Sequence, residues 1–348
     1  MRIGFFSDSY FPEIDGVTYT LKSWKEELEK RGHDVTIVYP ANPDYEPKEN
    51  EVPVRSIPNP FYGGYRIPLP QRMKSLPDFD VVHCHGPATV GRMGKFYAKR
   101  NDIPTVYTHH TPIEDYFEQN VGSIMAGFLQ KLYVPAENHF LKDFDVVTAS
   151  TEIHRGVEAE KLPVGLDTEF FCPTEDKMFE DLEDPVIGYS GRLSLEKNVG
   201  QVIEFTEDFE GTVVIVGEGP QKERLEDLGN GNTVFKDFLP REKLPQFYSS
   251  IEAYITASTG DTLGLAPLEA NACGTPVLAP DVHPFNETIQ NGNGERYEFG
   301  DRQDFDQKLR KCLDEKRDTR NAVEEYSLEG AVERLIEIYR SLGIKKKV

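Results

Sequence analysis

Positive charge is scarce in this 348-residue chain: Lys and Arg total 39 against 60 Asp and Glu, a formal charge of −21. A nucleic-acid partner is therefore not expected, because phosphates are bound by a positive field. Cysteine is sparse too. Cys84, Cys172, Cys273 and Cys312 lie far apart and form no C-x-x-C pair, which argues against a zinc site and supplies no disulfide framework. No run approaches the roughly 20 apolar residues that cross a bilayer. The opening Met1-Arg2-Ile3-Gly4-Phe5-Phe6-Ser7-Asp8 reads as an immediate strand and lacks the charge, apolar run and cleavage site of a signal peptide. A cytoplasmic protein is expected.

What is present points to a folded α/β chain. With 38% hydrophobic and 28% charged residues it has the material for a core, and its length suits two domains. Strand-like runs at Ile3–Ser7, Asp34–Tyr39, Val52–Ile57, Val81–Cys84, Thr105–Thr108 and Val146–Ala149 form one series. Val186–Ser190, Val213–Val216, Thr233–Lys236, Ala253–Thr256 and Pro276–Ala279 form a second. Helical periodicity separates most of them, as in Val17, Leu21, Trp24 and Leu28, which implies parallel sheets covered on both faces. The acid-rich segment Pro163–Pro185 reads as a solvated linker. The expected architecture is two Rossmann-like domains with parallel sheets facing a central cleft, residues 1–164 and 165–327. Leu328, Val332, Leu335, Ile336, Tyr339 and Leu342 make the apolar face of a last helix (328–348) that can cross back to the first domain.

Two stretches carry candidate chemistry. In the first, Ser258-Thr259-Gly260-Asp261-Thr262-Leu263-Gly264-Leu265-Ala266-Pro267-Leu268-Glu269-Ala270, a small-residue loop follows a strand and opens a helix. Free N–H groups at a helix start favour an anion or sugar hydroxyls. Asp261 and Glu269 could each accept hydroxyl hydrogen bonds, although an N-capping Asp and an exposed helical Glu would give the same pattern. In the second, Gly188-Tyr189-Ser190-Gly191-Arg192-Leu193-Ser194-Leu195-Glu196-Lys197-Asn198, Arg192 and Lys197 lie beyond a strand end. A guanidinium and an ammonium so placed suit a diphosphate; surface cations pairing with nearby acids are the plainer reading.

These motifs, in order along most of the chain, resemble the group 1 (family 4) retaining glycosyltransferases of GT-B fold. Tyr10-Phe11-Pro12-Glu13-Ile14-Asp15-Gly16-Val17 is similar to the family's N-terminal glycine loop, and Val81-Val82-His83-Cys84-His85-Gly86-Pro87 to its D-V-V-H-x-H segment. Leu166-Asp167 and Phe170 resemble the end of its N-G-V-D-x-x-x-F linker, and Phe238-Leu239-Pro240-Arg241-Glu242-Lys243-Leu244 its base-binding turn. The resemblance implies a hexosyltransferase using a UDP- or GDP-sugar. Arg192 and Lys197 would hold the donor diphosphate, with Gly16 letting the N-terminal loop approach it. Glu269 would bind the ribose and the backbone near Phe238 the base. Asp261 and the amides of Thr262, Leu263, Gly264 and Leu265 would hold the transferred sugar.

Cations preorganised on a leaving diphosphate stabilise developing charge directly, so no metal and no other cofactor is expected; no D-x-D element sits where a metal-using family needs one. The resemblance departs at Asp261, where Glu is usual. Thr108-His109-His110-Thr111-Pro112-Ile113-Glu114-Asp115-Tyr116 is similar to the family's Y-H-T-x-x-x-x-Y segment, which assigns the sugar contact to His110 and leaves His109 a structural part.

The same segment is close in style to H-H-T-x-Y-E-D-Y of enzymes that glucosylate diacylglycerol, so a lipid acceptor stands beside a glycan one. From Arg55 to Arg100 eight cations face only Asp78 and Asp80. Arg92, Lys95 and Lys99 share a helical face suited to anionic headgroups, which would place the protein peripherally on the inner membrane face; an ordinary polar surface helix reads equally well. A nucleotide-sugar 2-epimerase of the same fold and a non-catalytic sugar-nucleotide binding protein are the alternative functions.

Overall fold

The computed structural model describes the chain except residues 14, 60–65, 72, 74–75, 111–122, 152–156, 262 and 344–348, and except the side chains of 123–130 and 132. The chain divides into two compact units, Met1–Gly165 with Leu328–Val348, and Leu166–Ser327.

The first unit runs β1 (Arg2–Ser7), α1 (Gly16–Lys30), β2 (Asp34–Pro40), β3 (Glu51–Val54), β4 (Ser56–Pro58), β5 (Arg66–Pro68), β6 (Val81–His85), α2 (Thr89–Asn101), β7 (Thr105–His109), α3 (Ser123–Leu141), β8 (Val146–Ala149) and β9 (Glu160–Lys161). Among the described residues seven strands form a parallel sheet in the order β3-β2-β1-β6-β7-β8-β9, and β4 pairs with β5 in an antiparallel ribbon. Strands β6 and β7 are buried throughout, the polar His83, His85, Thr105, Thr108 and His109 included, as central strands are when helices cover both sheet faces. Asp15 starts α1 by accepting from the Thr18 amide at 2.7 Å, which satisfies a donor the helix itself cannot. Leu21, Trp24 and Leu28 then face inward at helical spacing.

The second unit runs β10 (Val186–Ser190), α4 (Val199–Phe205), β11 (Thr212–Val216), α5 (Lys222–Leu228), β12 (Thr233–Lys236), α6 (Leu244–Tyr248), β13 (Ala253–Ile255), α7 (Leu265–Ala272), β14 (Val277–Pro280), α8 (Phe285–Thr288), β15 (Gly294–Tyr297), α9 (Arg302–Asp314) and α10 (Thr319–Ala322). Its described strands form a six-stranded parallel sheet, ordered β12-β11-β10-β13-β14-β15. The strand order therefore reverses between β10 and β13. Loops leaving the carboxyl ends of neighbouring strands diverge at such a point and open a crevice. The last helix, α11 (Leu328–Ser341), belongs to the first unit. There Val332, Leu335, Ile336 and Tyr339 pack in one core with Trp24, Leu28 and Ile37.

Three sequence expectations need correction. The single strand expected at Val52–Ile57 is two, because the chain leaves the main sheet after Val54 and β4 pairs with β5 instead. Strands β5, β9 and β15 were not legible: they are two to four residues long and carry no apolar run. The segment 163–185 is not simply solvated. Its acids stay at the surface, but Leu166, Phe171 and Phe179 are buried. Arg320 donates to the Thr168 and Phe171 carbonyls at 2.6 and 3.1 Å, and the Arg241 guanidinium lies 4.2 Å from the centroid of the Phe170 ring. Counting charges hid these anchors, because a few apolar side chains suffice to pin an acidic strap.

Candidate functional site

The switch point of the second sheet gathers most of the residues singled out above. Strand β10 ends at Ser190, and Gly191 and Gly217 cross back to back just beyond β10 and β11. Gly217 has φ +151° and a Cβ there would lie 1.9 Å from the Gly191 carbonyl oxygen, so only glycine lets the two backbones meet. Arg192 follows, exposed, with its carbonyl accepting from Tyr189 Oη at 3.1 Å.

A short 3-10 turn, Leu195–Lys197, comes next and is stapled to the loop after β13. The Thr259 amide donates to the Glu196 carbonyl at 3.0 Å. Asn198, in the left-handed region at φ 49°, donates from Nδ2 to the Ala257 carbonyl and to Thr259 Oγ1, each at 3.1 Å. These bonds bring Lys197 Nζ to 2.8 Å from Asp261 Oδ1. Both side chains are mostly buried, at 19% and 24% exposure, so the pair is screened less than a surface one. Asp261 therefore does not cap α7.

That helix starts from Gly264, whose φ of +77° places it in the left-handed region and whose added Cβ would meet Phe285 at 2.6 Å. Leu263 is buried and Leu265 opens the first turn. Thr262 lies outside the described residues. The amides at a helix start are unsatisfied within the helix and carry its positive dipole end. Phe238 sits beyond β12 and is 60% exposed.

Glu269 is not the exposed helical acid that local pattern would allow. Its Oε2 accepts from Tyr248 Oη at 2.9 Å. Burial pushes its carboxyl up to about 7, against the lowering effects of the Tyr248 hydrogen bond and the Arg241 charge. Tyr248, Ser190 and Asn198 complete this site. Sequence reading gave none of them a role, since a tyrosine in a short amphipathic helix reads as core.

The first unit holds Gly16 and His110, together with the cations of α2. Gly16 is the exposed first residue of α1. His110 follows β7, and its Nε2 lies 3.0 Å from His85 Nδ1 at the end of β6. Burial holds His110 down at about 3 and drives His83 and His85 well below the ordinary histidine range, so all three rings are neutral at pH 7. His83 bridges Tyr339 Oη at 2.7 Å and Thr108 Oγ1 at 2.6 Å. His109 is buried, with Nε2 3.6 Å from Glu137 Oε1. Asp8, also unremarked in the sequence, accepts from the Ala88 and Val90 amides at 2.9 and 2.7 Å. It thereby caps α2 from the neighbouring strand.

The basic face expected on α2 is corrected. Lys95 is spent inside the unit: it pairs with Asp143 at 3.3 Å, donates to the Phe140 carbonyl, and lies 4.6 and 4.9 Å from the Phe140 and Phe144 ring centroids. The end of α3 presents unsatisfied carbonyls and the negative end of its dipole, which draw the ammonium inward. Arg92 donates to the Pro87 carbonyl at 2.8 Å yet stays exposed, as does Lys99. Arg72 and Lys74, counted among the eight cations, and Thr111–Tyr116 lie outside the described residues. Among the described residues no group of three or more His, Cys, Asp or Glu could hold a metal ion, and no helix is long and apolar enough to cross a membrane.

Known proteins place this geometry. Residues 174–329 match the model of "Glycosyl transferases group 1" and residues 14–157 that of "Glycosyltransferase Family 4". The chain is 29% identical over 318 residues to alpha-monoglucosyldiacylglycerol synthase of Streptococcus pneumoniae, covering 80% of this chain and 71% of that one. It is 25% identical over 304 residues to a GDP-mannose-dependent alpha-mannosyltransferase of Mycobacterium tuberculosis, covering 81% and 79%. Sucrose-phosphate synthase of Thermosynechococcus elongatus superposes with a TM-score of 0.74 at 16% identity over 98% of this chain and 99% of that one, a likeness of fold. With both matched models lying in order along the chain and the two parallel-sheet units as their structural counterpart, the protein belongs to the group 1, family 4 glycosyltransferases of GT-B fold and is a hexosyltransferase.

Proposed function

We propose that this enzyme moves a hexose from a UDP- or GDP-sugar to a lipid or glycan acceptor, with retention at the anomeric carbon and without a metal. The observation that carries the reading is the 2.8 Å Lys197–Asp261 contact at the β10/β13 switch point, which joins the candidate phosphate cation to the candidate sugar acid in one unit. Breaking a sugar–phosphate bond places negative charge on the departing diphosphate. Lys197, already held by Asp261 and by the staple through Asn198, needs little reorganisation to meet that charge, and Arg192 supplies a second cation.

Glu269 accepts the ribose hydroxyls, Asp261 and the amides of Leu263 to Leu265 hold the transferred sugar, and the backbone at Phe238 meets the base. His110, neutral at pH 7, serves as a hydrogen-bond partner for a sugar hydroxyl and not as an acid. The acceptor proton passes to a donor phosphate oxygen. Gly16 lets the loop before α1 approach the diphosphate.

A lipid acceptor is supported by the name of the streptococcal relative and by the surface of α2, where Phe96 is 68% exposed between Arg92 and Lys99. These three lie four and three residues apart and so share a face. The reading is that α2 meets an anionic membrane surface through Arg92, Phe96 and Lys99, with Lys95 no part of it.

Incubating the protein with UDP- and GDP-hexoses and either diacylglycerol or an oligosaccharide, in chelator, should yield a glycosylated acceptor by mass spectrometry with the donor's anomeric configuration by NMR. Lys197→Ala should lower kcat by about 10²–10³, the usual loss when a preorganised transition-state charge is removed. A free epimerised sugar, nucleotide binding without turnover, or an undiminished K197A enzyme would each sink this reading.

A further inference from the structure

The carboxyl of Glu269 does not stand alone. Tyr248 Oη lies 2.9 Å from Glu269 Oε2 and 3.0 Å from Ser190 Oγ, so three side chains from α7, α6 and the end of β10 form one line. Tyr248 is 1% exposed. Its ring is wedged between Phe171, Phe247 and Tyr254, with centroids 6.2, 5.4 and 5.9 Å away. Ser190 is fixed in turn, because Tyr254 Oη donates to its carbonyl at 2.9 Å. The hydroxyl between Ser190 and Glu269 thus has no freedom to leave.

Proton counting sets the direction of this line. An ionised carboxylate only accepts. Tyr248 must then spend its single O–H on Glu269, and its oxygen can accept only from Ser190. A protonated Glu269 could donate to Tyr248 instead, and the line would run the other way.

We propose that Tyr248 is a positioning residue for Glu269, holding one carboxylate oxygen while the other faces the ligand, and that Ser190 completes the relay from the phosphate loop. The proposal rests on the assignment of Glu269 to the donor ribose. It explains why an enclosed acid is kept at this place: a hydrogen bond from a fixed phenol favours the ionised form, the form able to accept two hydroxyls. Besides Tyr248, the group that acts on this carboxyl is Arg241 from the turn after β12; Glu269 in turn raises the thiol of Cys273, just past the end of α7, and the phenol of Tyr254 on β13. Of these only Arg241 is cationic, and its guanidinium is engaged over the Phe170 and Phe171 rings. Tyr248 is therefore the neutral group that orients the acid directly.

Calorimetric titration of the full chain with UDP and GDP, and with their 2′,3′-dideoxy forms, tests this across the neutral pH range. Wild type should prefer the ribose-bearing ligand, and the preference should fade on acidification as Glu269 takes up a proton. Tyr248→Phe should lose about tenfold of the ribose-dependent affinity, the size of a hydrogen bond to a charged group. It should move the pH midpoint of that preference upward and leave the dideoxy ligand unchanged. Ser190→Ala should shift the midpoint the same way by less, and it carries the test if Y248F does not fold. Equal weakening of both ligands, or an unmoved midpoint, overturns the positioning role alone. A wild-type protein that binds both forms alike instead overturns the ribose assignment of Glu269, and the proposal with it.

Discussion

Glu269 shows how far a residue's chemistry departs from its place in a pattern. Seen locally it is one acid in an eight-residue helix, but in the fold burial raises its carboxyl to about 7. An acid whose folded-state pKa lies above its unfolded one favours the folded state least once ionised. Its share of stability is intact below about 4.5 and is lost as pH rises through about 7. Glu269→Gln removes that loss. The variant should melt close to wild type at acid pH and above it at pH 8, by an amount equivalent to about 3 kcal/mol at most, at 1.36 kcal/mol per pKa unit. A calorimetric Tm series over pH checks this. A melting difference that does not grow with pH would mean the carboxyl carries no burial penalty, and the acid would then be held for structure and not for a ligand. The outcome expected here is the common exchange of stability for a binding group.

At the scale of elements, α2 separates what periodicity predicts from what packing permits. Helical spacing places Arg92, Lys95 and Lys99 on one side, yet the carbonyl end of α3 lies against the middle of that side and takes Lys95. The two outer cations flank Phe96 and remain exposed. Replacing Arg92 and Lys99 by Glu should therefore abolish retention on vesicles containing anionic lipid at low salt, while Lys95→Ala should lower Tm and leave retention unchanged. Vesicle flotation with a parallel melting curve reads both, and retention of the double variant would remove α2 as the contact. The motif loops were legible for a related reason. Glycine at 264, the cations Arg192 and Lys197 and the acids Asp261 and Glu269 carry conformational freedom and charge that the residues declare themselves. Tyr248, Asn198 and Ser190 were not legible, since their roles exist only where separate elements converge.

For the molecule as a whole, the last helix is part of the first core. Leu335 and Tyr339 are fully buried with Trp24 and Leu28, and Tyr339 reaches His83 in the middle of β6. Leu335→Ala should therefore cost about 2–5 kcal/mol, read by urea unfolding as a loss from the first unit. A loss under about 1 kcal/mol would show that α11 is only lightly docked. The alternating strands and helices, the parallel sheets and the apolar face of α11 were all determined by the sequence itself, because period and burial are properties of successive residues. The motif residues, too, could be picked out one by one. Which carboxylate meets which cation, that Lys95 turns inward, that Glu269 is enclosed and tied to a tyrosine, and that an acidic strap is anchored by Phe171 were decided by tertiary structure alone. Each depends on distances between residues tens of positions apart, and only the assembled sheets with their packed helices set those distances.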